Sequence, residues 1–313
     1  MQFQTRPEIL TEHVRKGIVI AGGLGSRVYP MTVSTSKCLL PVYSKPMVYY
    51  PVGVLMLAGI REILLICHPR DRDSYELLFG DGSRWGMSLS YLEQRDPRGG
   101  IAEAFLIGAD FIGSESCALA LGDNVFIGSR LPIIMRRAAE TVDGAMVFAT
   151  QVADPRRYGI VTFDSAGRPN GIEEKPENPR SDWAVTGLYF YDNQVIELAS
   201  RLKPSDRGEL EISDVNQAYL DAGRLRVEKL SRGIAWYDAG TPDSLFEAAI
   251  HVRTIERNQR HSVLVPEEIA FDNGWINQRQ LIRLSQHCPN SDYARYLARL
   301  ASEDGSEGIA YTE

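Results

Sequence analysis

A short apolar run, Gly17-Ile18-Val19-Ile20-Ala21, passes without a linker into Gly22-Gly23-Leu24-Gly25-Ser26-Arg27. A run with no polar alternation suits a strand buried on both faces of a mainly parallel sheet. The glycines after it let the chain turn tightly and bring backbone N–H groups close to an anion, because no Cβ stands in the way. Glu62–Cys67 and Cys117–Leu121 are runs of the same kind. Between the first two lies Pro46–Ala58, where Met47, Tyr50, Val54 and Leu57 recur at helical spacing and Gly59 offers a C-terminal stop, with Pro51 inside or interrupting the helix. Strand, loop, helix and strand make a βαβ unit with a right-handed crossover.

By themselves the glycines are as consistent with a plain βα turn as with a phosphate loop. The dinucleotide fingerprint fails, since Val28 stands where its third glycine belongs, and no Gly-Lys-Ser/Thr follows to make a P-loop. Cation placement adds to the signal. Arg27 follows the glycines, and Lys37 comes ten residues later in Ser36-Lys37-Cys38-Leu39-Leu40-Pro41. A triphosphate needs such charge where negative charge builds as pyrophosphate leaves. Either cation alone reads as a solvated surface charge.

Further along, Ala145–Val152, Gly159–Phe163, Gly171–Lys175 and Trp183–Tyr191 are strand-like, and the turn chemistry of Asp164-Ser165-Ala166-Gly167 folds Gly159–Lys175 into a hairpin. After Asp238 the pattern is helical: Pro242–Gln259, with Thr241 as N-cap, and Ser291–Ala301. Asp123 follows one apolar strand and Asp238 follows the strand-like Ile234–Tyr237, so both could reach a crevice beyond the carboxyl ends of a parallel sheet, although each alone reads as a turn-capping residue. Two such carboxylates suit Mg²⁺, which takes one or two carboxylates and leaves its other positions to phosphate and water.

The net charge of -7 over 313 residues argues against a general nucleic-acid binder, whose affinity rests on clustered Lys and Arg. No run approaches the ~20 apolar residues that span a bilayer, and Met1–Val14 has no apolar stretch of signal-peptide type. Four scattered cysteines without C-x-x-C spacing read as reduced thiols, which points to the cytoplasm. The expected organisation is an N-terminal extension over 1–15, a core over 16–240, a helical region over 241–302 and a flexible tail over 303–313.

The stretch from Gly22 to Pro30, Ser36-Lys37, and Leu39 to Pro51 resembles the signature of the sugar nucleotidyltransferases, and within them the glucose-1-phosphate thymidylyltransferases. The likeness continues through Leu121-Gly122-Asp123-Asn124, Glu173-Glu174-Lys175-Pro176, Ala184–Asp192, Arg207–Ile212 and Trp236-Tyr237-Asp238, covering nearly the whole chain after about Arg15. The resemblance implies a Rossmann-like three-layer α/β fold, a mainly parallel central sheet with an added hairpin and C-terminal helices. It implies transfer of dTMP from dTTP to glucose 1-phosphate, giving dTDP-glucose and pyrophosphate, by a homo-oligomer, usually a tetramer. By the same resemblance Arg27 and Lys37 are catalytic, and Asp123 and Asp238 hold magnesium. Gly22, Gly23, Gly25, Ser26, Gln94 and Gly100 bind the nucleotide, with Gln94 at the thymine edge. Gly159, Glu174, Lys175, Val185 and Thr186 bind the sugar phosphate.

The chain departs from the family pattern at named places. Cys38 and Glu103 each replace a glutamine, Ser26 replaces threonine, and Leu24 puts an apolar side chain on the loop. Ala239 and Pro242 alter the threonine and histidine usual after Asp238, and the Arg95–Gly100 loop is one residue longer. None of these removes a charged group of the site. They bear on which base and which sugar are preferred, and leave uridylyl or cytidylyl transfer, or a non-catalytic sugar-nucleotide sensor, as alternatives.

Overall fold

The computed structural model describes residues 13–303 apart from Pro97 and Thr141. The first strand, β1 (Lys16–Ala21), lies mid-sheet and opens into the glycine loop. Two-residue strands β2 (Pro41–Val42) and β3 (Lys45–Pro46) pair with each other, and α1 (Tyr49–Leu57) leads to β4 (Glu62–Cys67). The expected helix from Pro46 therefore starts three residues late, because Pro46 is held in that small hairpin. Pro51 falls in the first turn of α1, where its missing N–H costs no intrahelical bond. Helix α2 (Arg72–Phe79), β5 (Ser88–Glu93), α3 (Glu103–Ile107), α4 (Ala109–Ile112) and β6 (Cys117–Leu121) complete the parallel half.

The chain continues through β7 (Asn124–Ile127), α5 (Leu131–Glu140) and β8 (Ala145–Gln151). It then forms the expected hairpin, β9 (Gly159–Phe163) and β10 (Pro169–Glu174), followed by β11 (Trp183–Tyr191). The Asp164 carboxylate closes the hairpin by accepting from the Ala166 and Arg168 N–H groups at 2.9 Å each. Helices α6 (Gln194–Arg201) and α7 (Ile212–Asp221) precede β12 (Leu225–Lys229) and β13 (Ala235–Asp238). Four helices end the described chain: α8 (Pro242–Gln259), α9 (Pro266–Asp272), α10 (Gln278–Ser285) and α11 (Asp292–Glu303). Thr241 caps α8 in a reciprocal capping box with Ser244, as expected. Residues 1–12 and 304–313, most of the two terminal segments set apart by the sequence, lie outside the described residues.

The main sheet runs β10-β9-β11-β6-β1-β4-β5, with β8 also on β11 and β12 on β8. Strands β6, β1, β4 and β5 are parallel, and β11 joins β6 antiparallel. Side chains alternate across β1: Val19 and Ala21 face one apolar layer with α1 and α5, while Ile18 faces another with α3, α6 and α7. The sheet is thus sandwiched between helices, and each fully buried aliphatic side chain contributes ~1.5–3 kcal/mol. Helix α1 is buried from Tyr49 to Met56, on every face. That explains why its apolar spacing is so dense.

Parallel pairing places the carboxyl ends of β1, β5 and β6 on one edge. Antiparallel β11 brings its amino-terminal half to that same edge, and β9 and β10 follow it. The position of Asp238 needs a correction. Its strand does not extend the parallel sheet. Instead β13 pairs antiparallel with β7, in a separate two-stranded sheet with Asp238 opposite Asn124.

Candidate active site

The segments that follow β1, β5 and β6, with the near ends of β9, β10 and β11, line one cavity of about 390 Å³. The glycine loop forms its roof. Gly25 takes a left-handed conformation (φ 63°), and its carbonyl accepts from Val28 N–H at 3.1 Å and from the Thr32 hydroxyl at 2.9 Å. A Cβ at Gly25 would stand 2.7 Å from the Thr32 methyl, so glycine is required both by backbone angle and by space. The tightened turn carries Arg27 out over Gly240. A Cβ at Gly240 would meet the guanidinium at 2.5 Å and the Asp238 carboxylate at 2.9 Å, so the missing side chain is what lets Arg27 settle beside Asp238.

Lys37 follows Ser36, whose hydroxyl accepts from the Tyr75 phenol at 2.7 Å. Its ammonium forms an ion pair and hydrogen bond with the Asp123 carboxylate. Burial opposes the charge on both partners. The facing Asp123 carboxylate nevertheless keeps Lys37 above its ordinary pKa, and Lys37, with the Asn124 amide and Arg27, holds Asp123 below the usual carboxylate range. Asp238 is pushed the other way, first by burial and then by the negative charge of Asp123. The backbone ties the two together, since Ala239 N–H donates to the Asp123 carbonyl at 2.9 Å.

This donor set fits a magnesium ion. Two withdrawn carboxylates lie close enough for one to repel ionisation of the other, and only Asp123 has a lysine partner. The described residues contain no cluster of three or more His, Cys, Asp or Glu side chains that could hold a metal.

Asn124 organises the floor. Its Oδ1 accepts from Gly187 N–H at 3.0 Å and from Trp236 Nε1–H at 2.6 Å, while its Nδ2 donates to Asp123 at 2.9 Å. At the far end Glu174 and Lys175 meet Gly159. Glu174 accepts a hydrogen bond from Ser213, and Lys175 Nζ lies 3.5 Å from the other carboxylate oxygen. Lys175 takes a positive φ of 43°, held by its N–H to the Tyr158 carbonyl at 3.0 Å. On the side, Gln94 follows β5 with only 5% exposure, and Gly100 (φ 84°) packs against the Leu210 backbone.

Arg27, Lys37, Gly23, Gln94, Gly100, Asp123 and Asp238 line the cavity together with Gly159, Glu174, Lys175 and Val185. Four expected residues do not. Gly22 is buried behind the lining against Gln94 Oε1, Gly25 shapes the turn from behind, and Ser26 is exposed outside it. Thr186 is fully enclosed, and its hydroxyl has no hydrogen-bond partner among the described residues, while its neighbours Val185 and Gly187 reach the cavity. The pleat of β11 turns successive side chains to opposite faces.

Sequence reasoning gave no role to Arg157, Tyr158, Ser213 and Trp236, all of which line the cavity. Asn124 and Trp236 stood in quoted motifs, but nothing local revealed that their side chains bond each other. Cys38 also lines the cavity, where burial pushes its thiol up to about 12, so it is a neutral, space-filling group.

A nucleotidyl transferase family model matches residues 16–254. The chain belongs to that family. A glucose-1-phosphate thymidylyltransferase from Neisseria meningitidis is 52% identical over 285 residues, covering 91% of this chain and 99% of that protein. One from Mycobacterium tuberculosis is 51% identical, with 91% and 98% covered. Among solved structures, a Bacillus anthracis protein described as a glucose-1-phosphate thymidylyltransferase superposes with a TM-score of 0.70 at 40% identity, over 76% of this chain and 95% of its own. A UDP-glucose pyrophosphorylase superposes at 0.69 with 24% identity, over 77% of this chain and 99% of its own, a likeness of fold alone. The nucleotidyl transferase fold is therefore the α/β architecture described above.

Proposed function

We propose that this nucleotidyl transferase moves dTMP from dTTP to glucose 1-phosphate, giving dTDP-glucose and pyrophosphate. The observation that carries the reading is the meeting of two charged ends in one cavity. Arg27, Lys37, Asp123 and Asp238 stand under the glycine loop, and Glu174 with Lys175 stands opposite. Relatives at about half identity over nine-tenths of the chain, named for this activity, agree with it.

The nucleophile, a phosphate oxygen of the sugar 1-phosphate, is already anionic, so no general base is required. Lys175 holds that phosphate, and Glu174 accepts from sugar hydroxyls, with one oxygen bonded to Ser213 and the other 3.5 Å from Lys175 and 3.6 Å from Arg207. Arg27 and Lys37 stabilise the departing pyrophosphate, in line with the attacking oxygen. Catalysis is positioning plus electrostatics, as in other phosphoryl chemistry. Magnesium held by Asp123 and Asp238 would supply positive charge to the α-phosphate.

We extend the proposal to a homotetramer in the cytoplasm that feeds dTDP-sugar synthesis, such as the dTDP-rhamnose route to polysaccharides, with neither nucleic acid nor membrane as partner. The net charge of -7 supports the exclusion of nucleic acid. No helix among the described residues is long and apolar enough to cross a membrane. Exposed Tyr29, Val33 and Phe246 are apolar surface that a subunit contact would cover.

A panel of nucleoside triphosphates against sugar 1-phosphates, read by magnesium-dependent pyrophosphate release, tests the reading. The highest turnover is expected with dTTP and glucose 1-phosphate. Preference for UTP or CTP would transfer the assignment to those nucleotides. No turnover with tight binding of dTDP-glucose would make the chain a sensor.

A further inference from the structure

Gln94 is nearly enclosed, and both of its amide hydrogens are committed to the protein. Its Nε2 donates to the Glu103 carboxylate at 2.7 Å and to the Gly100 carbonyl at 3.3 Å. The Oε1 atom has no protein donor among the described residues; a Cβ at the buried Gly22 would stand 2.6 Å from it, and Gln94 itself lines the cavity. Glu103 can reach this place only because residue 99 is glycine, since a Cβ there would sit 1.8 Å from the carboxylate. Glu103 itself opens α3, and Gly99 is pinned by its carbonyl accepting from Leu210 N–H at 3.1 Å.

A flip of the Gln94 amide would turn Oε1 toward a carboxylate and a carbonyl, three acceptors with no hydrogen between them. Losing a charge-assisted bond in an enclosed place disfavours that orientation by about ten- to a hundredfold. A glutamine at position 103, as the family resemblance leads one to expect, could satisfy either orientation, because it can accept or donate.

We infer that Glu103 is a positioning residue for base choice: it locks Gln94 with its acceptor toward the nucleotide. The site then takes a base that presents a ring N–H at its pairing edge, as thymine and uracil do. It rejects one that presents a ring lone pair there, as cytosine does. The inference rests on the proposed nucleotide site and explains why an anionic side chain is tolerated beside a triphosphate cavity.

The test compares kcat/KM and Kd for dTTP, dCTP and N3-methyl-dTTP in the wild type and in Glu103→Gln. The wild type should prefer dTTP strongly over both others. Glu103→Gln should lower the dTTP:dCTP ratio by about tenfold or more, with the change in KM and Kd rather than kcat. An unchanged ratio, or an equal loss for dTTP and dCTP, would overturn the inference. So would wild-type use of N3-methyl-dTTP as readily as dTTP, a measurement that stands even if the variant does not fold. A wild type inactive with every triphosphate would instead sink the proposed function.

Discussion

At the scale of single residues, the site depends on side chains that are present and on side chains that are missing. Arg27 is exposed, so Arg27→Ala should lower turnover by ~10²–10³-fold with little change in melting temperature. Steady-state pyrophosphate release with a thermal melt checks both halves. Gly240→Ala makes the complementary case. Its new methyl would meet the mobile end of Arg27 and the Asp238 carboxylate, not backbone, so the expected outcome is a loss of activity with little loss of stability. Gly240 was invisible as a site residue in the sequence. Arg27 stood out because it follows three glycines.

At the scale of elements, termini and caps carry the measurable increments. Thr241→Ala removes the acceptor for Ser244 N–H, and urea denaturation should show a loss of ~1 kcal/mol. His261 lies just beyond α8 and faces Glu268 of α9 across 3.6 Å. The facing carboxylate, its largest influence, raises the His261 pKa above its ordinary 6.5. A raised base stabilises fully below 6.5 and loses that contribution as pH climbs through the folded value. Stability should therefore decline as pH rises from 6.5, by under ~1 kcal/mol for so exposed a pair, and His261→Gln should flatten that slope. Denaturant midpoints across the pH range would show it. The end of α8 was legible from Gln259, but α9 and α10 were not. They are short: α9 is buried by packing on α1 and α10 by packing on α11, rather than by a long apolar stripe.

At the scale of the whole molecule, Asn124 is where the main sheet meets the two-stranded sheet of β7 and β13. Asn124→Ala strands the buried Gly187 N–H, at a cost of ~1–3 kcal/mol, leaves the half-buried Trp236 Nε1–H to the cavity, and frees Asp123 from its lateral partner. Both stability and turnover should fall; retention of wild-type stability by calorimetry would show that water replaces the amide. The sequence by itself determined the parallel core, the glycine turn after its first strand and the hairpin, and it put an aspartate at the end of two further strands. Those signals are local: apolar runs, turn residues and charges at strand ends. Only the tertiary structure decided that Asp238 reaches Asp123 through a separate antiparallel sheet, that Gly22 and Thr186 lie behind the cavity wall, and that Glu103 holds the Gln94 amide. The first two depend on which strand pairs with which, and the third on the space left at Gly99 by a loop whose path the sequence does not show. Neither a strand pairing nor a loop path leaves a periodicity to read.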